Sequence, residues 1–329
     1  MVAVAIGSSV TSPRRISLVI CFAVVAAGCG ENDAPPATDT PSASTNGAVQ
    51  VVMANYELVA EESSRVLVGL ILPDNRFVAY GSIQMRFTKV DAAGNPESET
   101  SQVVEGTYLP VPGTSSGDPS EPPQAITPDI ARGAYVLRGV RFAPGDWIVE
   151  VASDVRGAGT VQGATAFEVL DVPSVPGVGE RAPRSDNAVM GDPKEDPISI
   201  DSRAGQGGIP DPELHRMSIA DAMEEGRPAL VVFSTPVYCV SRFCGPVTDM
   251  VQELANRYEG TAEFIHVEVW KDFEANVAND AANEWLNRSG TLNEPWLFLI
   301  GPDGKILARW DNLFRAEEVE PALDALPSR

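Results

Sequence analysis

The sequence predicts two folded units, an all-β sandwich followed by an α/β domain. Three observations predict them. Between residues 49 and 172, short runs of β-branched and aromatic residues recur between turn residues. From Ser218 onward, strand-like and helix-like patterns alternate. Stretches rich in Pro, Gly, Asp and Ser, without an apolar period, set the two apart. A chain of 329 residues is long enough for two ordinary cores, and its net charge of −22 excludes nucleic acid and anionic surfaces as partners.

Residues 1–28 read as a secretion signal. Arg14-Arg15 is its positive start and Ile16–Ala27 its apolar segment, which is short for a membrane span. Ala26-Ala27-Gly28-Cys29 resembles the bacterial lipobox. That resemblance implies cleavage before Cys29, lipidation of that cysteine, and a protein anchored by lipid on the outer face of the cell membrane; ordinary secretion with a free Cys29 is the alternative. Residues 29–48, rich in Pro, Ser, Thr and Ala, read as a disordered tether.

Within 49–172, strands are expected at Gln50–Val59, Arg65–Leu72, Val78–Val90, Val103–Leu109, Tyr135–Phe142, Trp147–Ser153 and Ala164–Leu170. Asp91–Pro96 and Ala143–Asp146 are turns. Seven short strands fit an immunoglobulin-like sandwich, and the PGDWIVEV stretch resembles a strand of YtkA-like extracytoplasmic sandwiches. The proline-rich 110–132 reads as a surface loop, Glu61-Glu62 as a solvated turn, and no catalytic cluster stands out.

Residues 173–214 form a linker and lead-in, and 215–329 the α/β domain. Ser218, with Asp221 three residues on, caps a short helix ending at Gly226. Ala229–Val247, ALVVFSTPVYCVSRFCGPV, then reads as a buried strand, a Thr-Pro turn, two cysteines five apart, and a helix opened by Gly245-Pro246. Five residues of unbroken helix separate two α-carbons too far for a disulfide, so Cys239 belongs in the loop, with Pro246 near the first helical position, or the first turn unwinds on oxidation. Ala262–Trp270 is a second strand, Phe273–Arg288 a helix, 294–300 and 305–310 an antiparallel pair, and Glu317–Leu326 a last helix.

This order, with cysteines after the first strand and PWLFLIGPDGKIL late in the chain, resembles the thioredoxin superfamily, in texture the extracytoplasmic thioredoxins of the TlpA/ResA kind and the peroxiredoxins. The pair is CxxxxC where thioredoxins carry CxxC, and Val247 stands where CGPC has its second cysteine. The resemblance implies thiol–disulfide exchange on a protein thiol or disulfide, with Cys239 and Cys244 as catalytic residues and Pro295 lining the substrate groove as the cis-proline does. Thr235 and Arg242 are candidates for tuning the thiolate, which a helix N-terminus also favours. Two other readings stay open: the pair is an inert staple in a scaffold whose sandwich binds a partner, or the chain is a peroxiredoxin-like thiol peroxidase. No metal and no cofactor is expected, since the two histidines read as a linker residue, His215, and a packed strand residue, His266.

Overall fold

Alternating apolar residues build the N-terminal half of the protein. In the computed structural model, which describes residues 47–60, 62–97, 103–130, 132–205 and 207–327, this half is ten strands. They are β1 (Gly47–Ala48), β2 (Gln50–Met53), β3 (Ser64–Ile71), β4 (Phe77–Ala79), β5 (Ser82–Lys89), β6 (Val104–Pro110), β7 (Gln124–Ile126), β8 (Gly133–Val140), β9 (Gly145–Val155) and β10 (Gly159–Val169). The expected signal, Cys29, most of the tether, and Glu61 lie outside the described residues.

The strand count predicts a sandwich of two sheets. Instead, hydrogen bonding follows one path, β1-β10-β9-β5-β6-β8-β3-β4-β7, with β2 on β3. Because β1 pairs with β10 and β2, one residue on, pairs with β3, the sheet is drawn over on itself around one core. The expected strand Val78–Val90 divides at Tyr80-Gly81, both at positive φ (67° and 58°). A Cβ on Gly81 would come within 2.4 Å of the Glu121 carbonyl oxygen, so only glycine fits there. β7 lies in the proline-rich stretch read as loop: three residues are too few to show a period, and its partner is β4. Gly47 and Ala48, assigned to the tether, already pair with β10.

The C-terminal half contains α1 (Pro197–Ile200), a 3-10 turn (Pro212–His215), α2 (Ile219–Glu224), β11 (Ala229–Ser234), α3 (Cys244–Arg257), β12 (Glu263–Glu268), β13 (Trp270–Asp272), β14 (Val277–Ala278), α4 (Asp280–Leu286), β15 (Trp296–Ile300), β16 (Ile306–Asp311) and α5 (Ala316–Asp324). Its sheet runs β12-β11-β15-β16, with β11 and β12 parallel and β15 and β16 antiparallel to their neighbours. Every residue of β11 is buried, as a central strand covered on both faces requires. Ala229, Val231 and Phe233 pack on the face covered by α2 and α4, while Leu230 and Val232 pack on the face covered by α3 and α5.

Two expectations need correction here. The helix expected over Phe273–Arg288 is the β13–β14 hairpin, turned at Asn276 (φ 55°), followed by the shorter α4. The stretch read as linker is built into the fold. Residues 179–182 bond to the edge of β16 and its turn, and Ile200, Asp201 and Leu214 are buried. Side-chain hydrogen bonds hold this segment, so it shows no apolar period.

The two halves pack together in one compact unit. Leu67, Leu109, Ala134 and Val136 of the β half form an apolar cluster with Leu313, against which Phe243 packs. Polar contacts surround it: Arg65 bridges Asp311 at 3.3 Å and Glu318 at 3.0 Å, and Arg309 pairs with Glu57 and Glu62.

Candidate functional site

The cysteine site forms where β11 ends and α3 begins. After Ser234 the chain turns through Thr235-Pro236, whose Thr235 carbonyl accepts the Cys239 N–H at 3.1 Å. It then passes Arg242, at φ 61°, and enters α3 at Cys244. Cys239 therefore lies in the loop and Cys244 is the first helical residue. Pro246 is third, not first; the first turn tolerates it because N–H groups there have no intrahelical partner. The pair is joined with its α-carbons 6.0 Å apart, and α3 is anchored by buried Val247, Met250, Val251 and Leu254.

The two sulfurs differ. Cys244 is fully buried, whereas Cys239, on the loop before the helix, is only partly buried as a residue. The Cys244 N–H, at the start of a 14-residue helix, donates to Cys239 Sγ at 3.4 Å, and the Ser241 hydroxyl lies 3.2 Å from the same sulfur. A thiolate on Cys239 would receive both the helix-end N–H and its partial positive charge.

A carboxyl completes the site. Glu294 places an oxygen within 4.8 Å of both sulfurs and joins Pro295 through a cis peptide bond, so Pro295 sits on the loop facing the pair. Burial, reinforced by the negative charge of Glu268, pushes the Glu294 carboxyl up to about 7. Glu268 is itself raised by burial, although Ser202 N donates to it at 2.8 Å. The sequence reading missed Glu294. Its signal was available, since it directly precedes the proline assigned to the groove.

The other expected residues separate in role. Thr235 is buried behind the loop, and its hydroxyl has no hydrogen-bond partner among the described residues. The Arg242 side chain is exposed and lines a groove of about 550 Å³ with Val240, Phe243 and, from the β half, Met53 and Ile71. On another side of the loop Tyr238 stacks on Phe273 with ring centres 4.3 Å apart.

The β half reaches the site directly. The Tyr56 hydroxyl donates to the Glu294 carbonyl, and its ring lies 5.9 Å from that of Trp296. Asn312 N donates to the Pro295 carbonyl at 2.9 Å, and Asn312 Nδ2 donates to the Ala54 carbonyl. The proline loop is thus held from both halves.

No family model and no curated protein matches this chain. Among solved structures it is similar to CopC from Methylosinus trichosporium OB3b, at 16% identity over 39% of this chain and 97% of that one, with a TM-score of 0.19. A likeness that slight leaves fold and function to be argued from this chain's own residues. No helix among the described residues is long and apolar enough to cross a membrane.

Proposed function

We propose that this protein is an extracytoplasmic thiol–disulfide oxidoreductase of thioredoxin-like architecture, in which Cys239 attacks and Cys244 resolves. One observation carries the reading: the sulfur of Cys239, on a partly buried loop at a helix N-terminus and paired with the sulfur of buried Cys244, has a carboxyl that titrates near neutrality within 4.8 Å of both. The sheet order β12-β11-β15-β16 and a cis proline facing the cysteines support the thioredoxin-like reading. The lipobox-like segment supports attachment through Cys29 on the outer face of the membrane.

In the reduced protein, the Cys239 thiolate attacks one sulfur of a substrate disulfide. A mixed disulfide forms, and the departing substrate sulfur takes a proton. Glu294, as carboxylate, accepts the Cys244 proton; the Cys244 thiolate attacks Cys239 Sγ, closes the internal disulfide and releases the second substrate thiol, which takes up the remaining proton. Two electrons pass to the substrate, and the reverse sequence oxidises a dithiol. The groove bordered by Val240, Arg242 and Phe243 is apolar enough to hold an extended peptide beside Cys239.

The test is a redox titration of the full chain with trapping of the intermediate. A potential in the range of exchange proteins, roughly −120 to −270 mV, is expected. Cys239→Ser should abolish exchange, while Cys244→Ser should accumulate a mixed disulfide at Cys239, seen by mass spectrometry. A potential far below that range, with no mixed disulfide, would leave the pair a structural staple. Rapid formation of sulfenic acid at Cys239 with peroxide, without disulfide exchange, would favour the peroxidase reading instead.

A further inference from the structure

The sequence holds two histidines, and the fold turns both toward one carboxylate. Asp201 follows α1, His215 ends the 3-10 turn and His266 lies in β12; none is more than 1% exposed. His215 Nε2 and His266 Nδ1 each lie 3.4 Å from Asp201 Oδ2. That is long for an N–H···O hydrogen bond, which rarely exceeds ~3.2 Å. It matches the spacing of about 3.4 Å between ligands of a tetrahedral ion with bonds near ~2.1 Å.

The tautomer points the same way. His266 Nε2 lies 3.3 Å from the Ser234 carbonyl, where an N–H is the favourable partner. With the hydrogen on Nε2, the Nδ1 lone pair would face the Asp201 oxygen, the arrangement in which a cation between them is favourable. An imidazole that ligates through one nitrogen and donates from the other to a backbone carbonyl is the usual arrangement at metal sites. His215 Nδ1 and Nε2 and His266 Nδ1 are buried without a hydrogen-bond partner. Arg203 takes the remaining capacity of Asp201, with Nε on Oδ1 at 3.1 Å and Nη2 on Oδ2 at 2.7 Å, and also bridges Asp211 and Asp249. Asp201, Asp211 and Asp249 thus set three carboxylates against one guanidinium, a negative surplus that a dication offsets.

We propose that Asp201, His215 and His266 hold a divalent cation of the zinc class, Asp201 through Oδ2 and the imidazoles through Nε2 and Nδ1. Two imidazoles and a carboxylate, with no thiolate, suit zinc. Ser202, adjacent to Asp201, accepts the Val237 amide on its hydroxyl at 3.2 Å, so the ion fastens Asp201 and His215 beneath the loop that carries Cys239. Since the ligands are closed from solvent, loading accompanies folding or a local opening.

The test refolds the full chain with zinc, removes loose metal by desalting against a weak chelator, and measures zinc by mass spectrometry; cobalt(II) replaces zinc for spectroscopy. About one ion per chain is expected in the wild type and in Cys239→Ser, and less than about a tenth of that in His215→Gln and His266→Asn. The cobalt spectrum should show visible bands of a nitrogen–oxygen site without a thiolate charge-transfer band. Absence of retained metal in the wild type overturns the proposal, as does a thiolate band or retention in both histidine variants. The wild-type spectrum decides even if a histidine variant fails to fold. None of these readouts depends on thiol exchange, so this proposal and the oxidoreductase reading can fail separately.

Discussion

Two clusters of reactive side chains lie within a few residues of the same loop, and they differ chiefly in their access to water. Cys239, Cys244 and Glu294 meet at the cysteine loop, where Cys239 and Glu294 are partly buried and a helix end points at the Cys239 sulfur. Asp201, His215 and His266 meet beneath it, where nothing is more than 1% exposed. The first arrangement suits a group that must be attacked by, or attack, a large partner. The second suits a permanent resident. Burial raises both carboxyls, and their neighbours decide the outcome. It leads the rise of Glu294 to about 7. At Asp201 it likewise raises the carboxyl, but the His215, His266 and Arg203 contacts outweigh it and hold the group well below the usual carboxylate range. A buried carboxyl without a cation becomes a proton carrier; one paired with a guanidinium becomes a fixed charge.

The largest expected effect breaks the inner cluster. Asp201→Asn removes the shared acceptor and leaves Arg203 short of a buried partner, so urea unfolding should show a loss of about 3–5 kcal/mol. A loss below about 1 kcal/mol would mean that Asp201 does not organise the cluster, and the contrast between the two sites would collapse.

Next in size is Glu294→Gln, which leaves shape unchanged and removes the titrating group. The resolving step should slow by about 10- to 100-fold at neutral pH. In the wild type this step should rise as pH passes through about 7, where Glu294 loses its proton, and in the variant that rise should flatten. Stability follows a definite sign. The folded-state value lies above the ordinary 4.5, so the contribution of Glu294 is fully present below about 4.5 and is lost as pH rises through about 7. Above that pH, Glu294→Gln should therefore be more stable than the wild type, as chemical unfolding at pH 5 and pH 8 would show.

The smallest effect sharpens the comparison by testing whether the β half merely touches the outer cluster. Tyr56→Phe removes the hydroxyl that donates to the Glu294 carbonyl. It should cost about 1 kcal/mol and alter exchange less than Glu294→Gln does. An unchanged stability would assign Tyr56 to packing against Trp296 alone.

Local pattern made much of this legible. The unbroken apolar run Ala229–Ser234 had to be a strand buried on both faces, and Val247, Met250, Val251 and Leu254 had to form one helical face. The Ser218–Asp221 pair closes a capping box that four residues suffice to read. Patterns failed where the stabilising partner is far away or polar. β7 exists because β4 offers it an edge. Residues 190–205 and 207–215, without apolar rhythm, are held by contacts such as Ser202 to Glu268 and Arg203 to Asp211.

The chemistry divides the same way. The sequence by itself determined that two cysteines sit between a strand and a helix, and that a proline opens the later strand, because chain neighbours dictate such features. Only the tertiary structure decided which cysteine is the less buried, that Glu294 stands beside both, and that two histidines far apart in the chain share one carboxylate, that of Asp201. Those facts depend on how α1, β12, β15 and the cysteine loop pack, and packing joins residues that no local period relates.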